Sequence, residues 1–107
     1  MNEQAKIAYE KAVDFFAAGK GEEAARALLE VIKRFPDCAD AYESLGMVYY
    51  KMGRIDDAID WTAKLAVLRP SDGMAHTNLS VFYMKKGMKE KAEEEKAIAT
   101  VLKFQKP

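Results

Sequence analysis

One fixed interval recurs along the whole sequence and constrains its fold more than any other feature. Gly19, Gly53 and Gly87 follow one another at an interval of 34 residues (53 − 19 and 87 − 53), and five further sets of residues keep the same spacing. They are Ala24, Ala58 and Ala92; the aromatic Phe15, Tyr49 and Tyr83; the small Ala12, Gly46 and Ser80; Leu45 and Leu79; and Pro36 and Pro70, with Phe104 in the third proline position. A fixed period of about 20 to 50 residues is typical of stacked copies of one structural unit. We therefore expect a single domain over residues 1–107, built from units at 5–38, 39–72 and 73–107.

Each unit is predicted to contain two helices, and the pattern is clearest in the middle unit. Apolar side chains recur at helical spacing in two stretches, 39–52 and 55–68. Gly53 lies between them and suits the left-handed backbone conformation that often ends a helix. Pro70 ends the second stretch, because a residue before proline avoids the α region. Small residues at Gly46 and Ala58 predict a close approach of the two helices.

Composition excludes several classes of protein. The formal net charge is zero, which argues against a protein that binds nucleic acid through bulk charge. No apolar run is long enough to span a membrane. Cys38 is the only cysteine, so no intramolecular disulfide can form, and the cytoplasm is the expected location. The charge is uneven, however, since residues 73–107 carry more Lys than Glu.

The sequence offers little chemistry. His76 is the only histidine, and one histidine is too few for a multi-histidine metal site. Neither a nucleophile beside a base nor a glycine-rich phosphate loop is present. We therefore predict a non-enzymatic protein with no cofactor and no metal. Trp61 is expected to pack against a neighbouring helix, with a surface anchor for a partner as the alternative. The lysines around Gly87 are expected to be solvated, with an acidic partner or RNA as the alternative.

The repeat resembles the tetratricopeptide repeat (TPR) family, whose units are helix–turn–helix pairs of this length. The middle unit carries signature residues at Tyr42, Leu45, Gly46, Tyr49, Ala58 and Pro70. The first unit corresponds at Ala8, Lys11, Ala12, Phe15, Ala24, Leu28, Val31 and Pro36, and the third at His76, Leu79, Ser80, Tyr83, Ala92, Lys96 and Ala99. The resemblance implies an all-α fold: an α-solenoid of three units and six helices in a short right-handed superhelix. The first helix of each unit would line a concave groove.

The resemblance also implies which residues face that groove. The apolar or aromatic members of this set, together with one asparagine, are the candidate peptide-binding residues: Tyr9, Val13, Phe16, Met47, Tyr50, Met74, Asn78, Val81 and Met84. Apolar groups gathered on an exposed surface often mark a binding site. The alternative is that some of them belong to the core between helices. Within the pair Tyr49–Tyr50, we expect Tyr49 in the core and Tyr50 at the groove centre, between Phe16 and Met84.

The best-known TPR subtype holds an acidic chaperone tail in a two-carboxylate clamp of Lys, Asn and Arg side chains. The corresponding positions here are Tyr9, Val13, Ser44, Met74 and Asn78, and none of them agrees. The resemblance therefore predicts a protein–protein interaction module that binds a short apolar or amphipathic segment instead.

The alternative is a self-associating scaffold unit, such as a homodimer through the terminal repeats. In that reading a second copy would cover an apolar set on the last helix: Ile98, Val101, Leu102 and Phe104.

Overall fold

The computed structural model describes residues 2–105 and contains six α-helices in that range. They are α1 (Glu3–Ala17), α2 (Gly21–Arg34), α3 (Ala39–Lys51), α4 (Ile55–Leu68), α5 (Gly73–Lys85) and α6 (Lys89–Gln105). No strand occurs among the described residues. The helices pair as α1–α2, α3–α4 and α5–α6, so the predicted all-α solenoid of helix pairs is confirmed. The first and last residues of the predicted central helices differ from the observed ones by at most one.

The turn inside each unit depends on glycine. Gly19, Gly53 and Gly87 adopt positive φ angles of 76°, 79° and 83°, a region that costs about 1–2 kcal/mol for a residue with a Cβ atom. No heavy atom would lie within 4 Å of a Cβ atom added at any of the three. The requirement for glycine therefore comes from the backbone and not from lack of space.

The two helices of the middle unit approach each other at Gly46. A Cβ atom there would come within 2.5 Å of the Oγ1 atom of Thr62 and 3.7 Å of the backbone oxygen of Ala58. Gly46, Ala58 and Thr62 are all buried. The close approach predicted from the small residues is thus confirmed, and its cause is steric.

The first helices α3 and α5 also pack against the pairs of helices that precede them. In the contact of α5 with α3 and α4, the Phe82 ring stacks on the Tyr50 ring at a centroid distance of 4.9 Å. Ala75 joins a second buried cluster with Ala39 and Leu65. The main buried cluster contains residues of all three units and joins them to one another.

A side-chain pair bridges the first and second helices at one repeated position. In the middle unit it is aromatic, with the rings of Tyr42 and Trp61 5.9 Å apart. At the same position of the third unit, the Nδ1 atom of His76 lies 2.6 Å from the Oε2 atom of Glu95. Trp61 is therefore partly buried against Tyr42, as expected, and Lys64 lies 5.0 Å from the centroid of its ring.

Candidate functional site

An open groove lies between α5 and α6 and has a volume of about 720 Å³. Tyr50 of α3 closes one side of it, and the remaining lining side chains come from the third unit. From α5 they are Thr77, Ser80, Val81, Met84 and Lys85, and from α6 they are Glu93, Lys96, Ala99, Thr100 and Lys103. This cavity is called the α5–α6 groove below.

Helical spacing brings these residues onto facing sides of the two helices. On α6, the groove residues recur at intervals of three or four, which is one face of an α-helix. The Oγ atom of Ser80 donates a 2.8 Å hydrogen bond to the backbone oxygen of Ala92, which ties α5 to α6. Ala99 and Thr100 are small, so the groove stays open where larger residues would fill it.

The groove combines an apolar wall with a positive rim. Val81 and Met84 are 47% and 51% exposed, a large fraction for apolar side chains that line one depression. Three lysines and one glutamate add charge around them: Lys85, Lys96, Lys103 and Glu93. The groove therefore places exposed apolar side chains next to a rim with net positive charge.

The candidate residues from the sequence divide into two groups. Tyr50, Val81 and Met84 line the α5–α6 groove together. Met74 is exposed and Asn78 is partly buried, but neither lines that groove. The other candidates, from the first two units, are all partly buried: Tyr9, Val13, Phe16 and Met47.

Several of the candidates contribute to packing. Tyr9, Phe16, Met47 and Tyr50 pack against the main core cluster. The Tyr9 hydroxyl lies 2.7 Å from the Ser44 Oγ atom, and burial raises the pKa of Tyr9 above its ordinary value. The alternative reading of these residues as shared core therefore has direct support at these positions.

The two residues of the tyrosine pair differ in their surroundings. Tyr49 is 5% exposed and belongs to the core, whereas Tyr50 is partly buried and lines the groove. Met84 shares the groove with Tyr50, but Phe16 is not among the lining residues. The ring that Tyr50 stacks on belongs to Phe82.

Sequence reasoning missed the α6 side of the groove. The family resemblance directs attention to the first helix of each unit, and the polar Lys96 and Glu93 look like a solvated face. Comparison of α6 with the corresponding helix of the preceding unit would have indicated this side of the groove. The residues one repeat earlier, Thr62 and Ile59, are buried beneath α5, which marks this face of the second helix as a contact surface.

Within residues 2–105, no group of three or more His, Cys, Asp and Glu side chains is arranged to hold a metal ion. In the same range, no helix combines the length and apolar character needed to cross a membrane. The groove itself provides a concave shape, apolar surface and charged side chains.

Comparison with known families identifies the repeat. The family model described as tetratricopeptide repeat matches residues 9–73, more than half of the chain. No curated protein sequence matches the chain.

Solved structures share the fold. A crystal structure of MamA is 28% identical, with a TM-score of 0.90 over 94% of this chain and 59% of that one. A CopN–Scc3 complex gives 20% identity and a TM-score of 0.92, covering 100% of this chain and 63% of that one. The second TPR of Spaghetti (RPAP3), bound to the HSP90 peptide SRMEEVD, gives 20% identity and a TM-score of 0.85, covering 94% of this chain and 93% of that one. The chain thus spans less than two thirds of the MamA and CopN–Scc3 chains, and at 20% identity the likeness is one of fold alone.

Proposed function

Because the chain belongs to the tetratricopeptide repeat family, we propose that it is a non-enzymatic protein–protein interaction module. Its ligand is a short apolar or amphipathic segment of a partner protein, bound on the concave side. The single observation that carries this proposal is the α5–α6 groove, in which Tyr50, Val81 and Met84 present apolar surface beside a lysine rim. A cytoplasmic location is part of the proposal and suits the lone Cys38.

The physical basis is the burial of apolar surface. Removing it from water contributes roughly 25 cal/mol per Å², and residues in the centre of an interface contribute most. Met84 is an adaptable side chain that packs well against irregular partners. Its position in the groove, together with Tyr50, supports recognition of a helix that lies along α5.

The experiment is selection of helical peptides from a random library on the immobilised chain, followed by calorimetry with a selected peptide. Met84→Asp places a charge in the apolar wall and should weaken binding by tenfold or more, or about 1.4 kcal/mol. Val67→Asp is the matched control, because Val67 is exposed on α4 and does not line the groove. Equal affinity for both variants would show that the peptide binds elsewhere.

A second candidate function is self-association as a scaffold unit. The observation that favours it is a set of exposed apolar side chains on α6, with Ile98, Val101 and Phe104 at 41%, 53% and 80% exposure. Light scattering over a range of concentrations tests it, with Val101→Asp as the disrupting variant. A mass that does not rise with concentration would contradict this function.

A further inference from the structure

The α5–α6 groove lies at a position of the repeat that is covered by a helix in the middle unit. In the middle unit, α5 lies over α3 and α4 and covers one set of side chains: Gly46, Tyr50, Ile59, Thr62 and Leu65. One repeat later, the corresponding positions line the groove: Ser80, Met84, Glu93, Lys96 and Ala99. The groove is therefore the third-unit version of the site at which a following first helix docks.

The outer face of α1 is the reverse case, the face of a first helix that none of the described residues covers. On α3 and α5, the residues that meet the preceding unit are buried, with Ala41 and Val48 both at 0% exposure. Ile7 and Asp14 stand one repeat before them and are exposed, Ile7 at 60%. The two ends of the molecule therefore present the two halves of one repeated interface.

We propose that α1 of a second copy docks in the α5–α6 groove, so that copies of the chain join head to tail. The proposal rests on the function proposed above, because it names the partner of the same groove. Each junction would repeat the contact that α5 makes with α3 and α4 inside one chain.

The sizes of the apolar side chains match at this junction. Inside the chain, small Ala75 clusters with Ala39 and the large Leu65. At the junction the corresponding positions are Gly73, which packs against Ala99, and Ala99, which lines the groove; both residues are smaller than their counterparts. The docking residue is Ile7, which is larger than Ala75. The exchange of large for small across the contact keeps its volume nearly constant, the condition under which a packed contact tolerates substitution best.

The charges also match. Inside the chain, the Phe82 ring approaches the Gly46 position beside Thr62. At the junction, Asp14 of one copy takes the position of Phe82, and Lys96 of the other copy takes the position of Thr62. Asp14 and Lys96 would therefore lie side by side. The outer stripe of α1 is acidic, because Glu3, Glu10 and Asp14 flank Ile7 at helical spacing. Lys6 and Lys11 border this stripe on its two sides, one helical turn from Glu10 and Ile7. The groove carries three lysines and one glutamate, so opposite charges meet.

The symmetry of this contact determines how it is detected. Different surfaces of the two copies meet, so the interface is heterologous, and each added copy leaves one α1 face and one groove open. Mass should therefore rise progressively with concentration. A dimer through one shared face would instead stop at two copies.

Sedimentation velocity over a concentration series tests the proposal. Asp14→Lys and Lys96→Asp each place like charges together and should weaken self-association by about tenfold or more. Combining both substitutions in one chain restores opposite charges at every junction and should recover it. Both residues are exposed, and circular dichroism checks that each variant folds. Val67→Asp is the control, since Val67 is exposed on α4, does not line the groove and lies outside the apolar set on α6.

A second measurement identifies the contact itself. Ile7→Cys and Ala99→Cys are made in separate chains, and the two are mixed under oxidising conditions. A disulfide between unlike chains, with little between like chains, supports the head-to-tail junction. Loss of association in Val67→Asp, or association unchanged by the charge reversals, overturns it.

The two proposals fail separately. A chain that stays monomeric at every concentration, yet binds a selected peptide in a Met84-dependent way, contradicts the head-to-tail junction and leaves the interaction function intact. A chain that associates through the junction but whose selected peptides ignore Met84→Asp contradicts the general binding function instead.

Discussion

The middle and third units present the same face of their second helix in opposite circumstances. Under α5, Ile59, Thr62 and Leu65 of α4 are buried. On α6, the corresponding Glu93 and Lys96 are exposed and line an open groove. Because the helix pairs and their glycine turns are alike, the backbone does not cause this difference. α5 covers this face of α4, whereas none of the described helices covers the same face of α6, where Glu93 and Lys96 replace apolar and small side chains. The comparison therefore points to the candidate binding surface.

The bridging pair shows the same trend inside each unit. Tyr42 and Trp61 make an aromatic contact in the middle unit. His76 and Glu95 replace them with a hydrogen-bonded pair in the third unit. The third unit is thus more polar both on its outer face and within its own packing, as expected of a repeat whose outer face meets solvent.

The largest expected effect compares one aromatic position in the two units. Tyr49 is 5% exposed, whereas its counterpart Tyr83 is only partly buried, with Lys91 over its ring. Tyr49→Ala should cost about 3–5 kcal/mol in the free energy of unfolding, as core aromatic truncations do, and Tyr83→Ala should cost less. Urea unfolding of both variants measures the difference. Equal losses would show that the units are packed alike.

Tyr50, which lines the groove, provides a second comparison with Tyr49. Tyr50→Ala removes the stacking on Phe82, an interaction worth about 0.5–1.5 kcal/mol beyond area burial. It should therefore destabilise the chain less than Tyr49→Ala, while weakening peptide binding. If Tyr50→Ala unfolds the chain as readily as Tyr49→Ala, Tyr50 serves only the core.

The next prediction exchanges the side chains at one repeated position, Leu65 on α4 and Ala99 on α6. Leu65 is buried beneath α5, and truncating it to Ala should cost about 2–5 kcal/mol. The reverse change in the third unit, Ala99→Leu, adds a side chain to an open groove and should leave thermal unfolding nearly unchanged. A large loss of stability for Ala99→Leu would mean that the groove is closed in solution.

A smaller effect checks that the turns are equivalent in the two units. Gly53 and Gly87 share positive φ angles and open surroundings. Gly53→Val and Gly87→Val should therefore each cost about 1–2 kcal/mol from backbone strain alone. Unchanged urea unfolding of either variant would show that its turn relaxes away from the left-handed conformation.

A further small effect depends on pH. Burial, with Asp40 and Asp72 nearby, raises the pKa of Glu43 above its ordinary value. Ionised Glu43 therefore destabilises the fold above that raised pKa, and the penalty disappears as pH falls below the unfolded value of about 4.3. Glu43→Gln should be more stable than the parent chain at neutral pH and equal to it in acid. A stability gain that persists unchanged at low pH would contradict this cause.

The smallest expected effect is an absence of binding. The clamp positions of chaperone-tail adaptors hold no cation here, and two of them, Tyr9 and Ser44, bond to each other. The peptide SRMEEVD should therefore bind no more tightly than about 1 mM in calorimetry. Saturable low-micromolar binding would show that another arrangement of charges replaces the clamp.

Much of the fold was predictable from the sequence because the repeat encodes it locally. Gly53 marked the turn, and Gly46 with Ala58 marked the close approach of α3 and α4. These features follow from backbone conformation and side-chain size, which a single unit already determines. Tyr49 was assigned to the core for the same reason, because the aromatic residue recurs in every unit.

The α5–α6 groove was harder to predict because it is open only where none of the described helices covers α5 and α6. Lys96 is polar and lies in a charged stretch, so by itself it indicates a solvated face. Only comparison with its buried counterpart Thr62 shows that the same position in the middle unit is covered by another helix. Likewise, Phe16 and Met47 carry apolar side chains on first helices, yet packing against the core occupies part of their surface. Hydrophobicity alone does not distinguish a groove from the contact between helices.

Docking of α1 from a second copy in the α5–α6 groove is tested most directly by titrating the ¹⁵N-labelled chain with its unlabelled form and following the amide chemical shifts. The shifts should fall on two separate surfaces, the outer face of α1 around Ile7 and Asp14 and the α5–α6 groove around Met84 and Lys96. Shifts confined to Ile98, Val101 and Phe104, or none at any concentration, would contradict it.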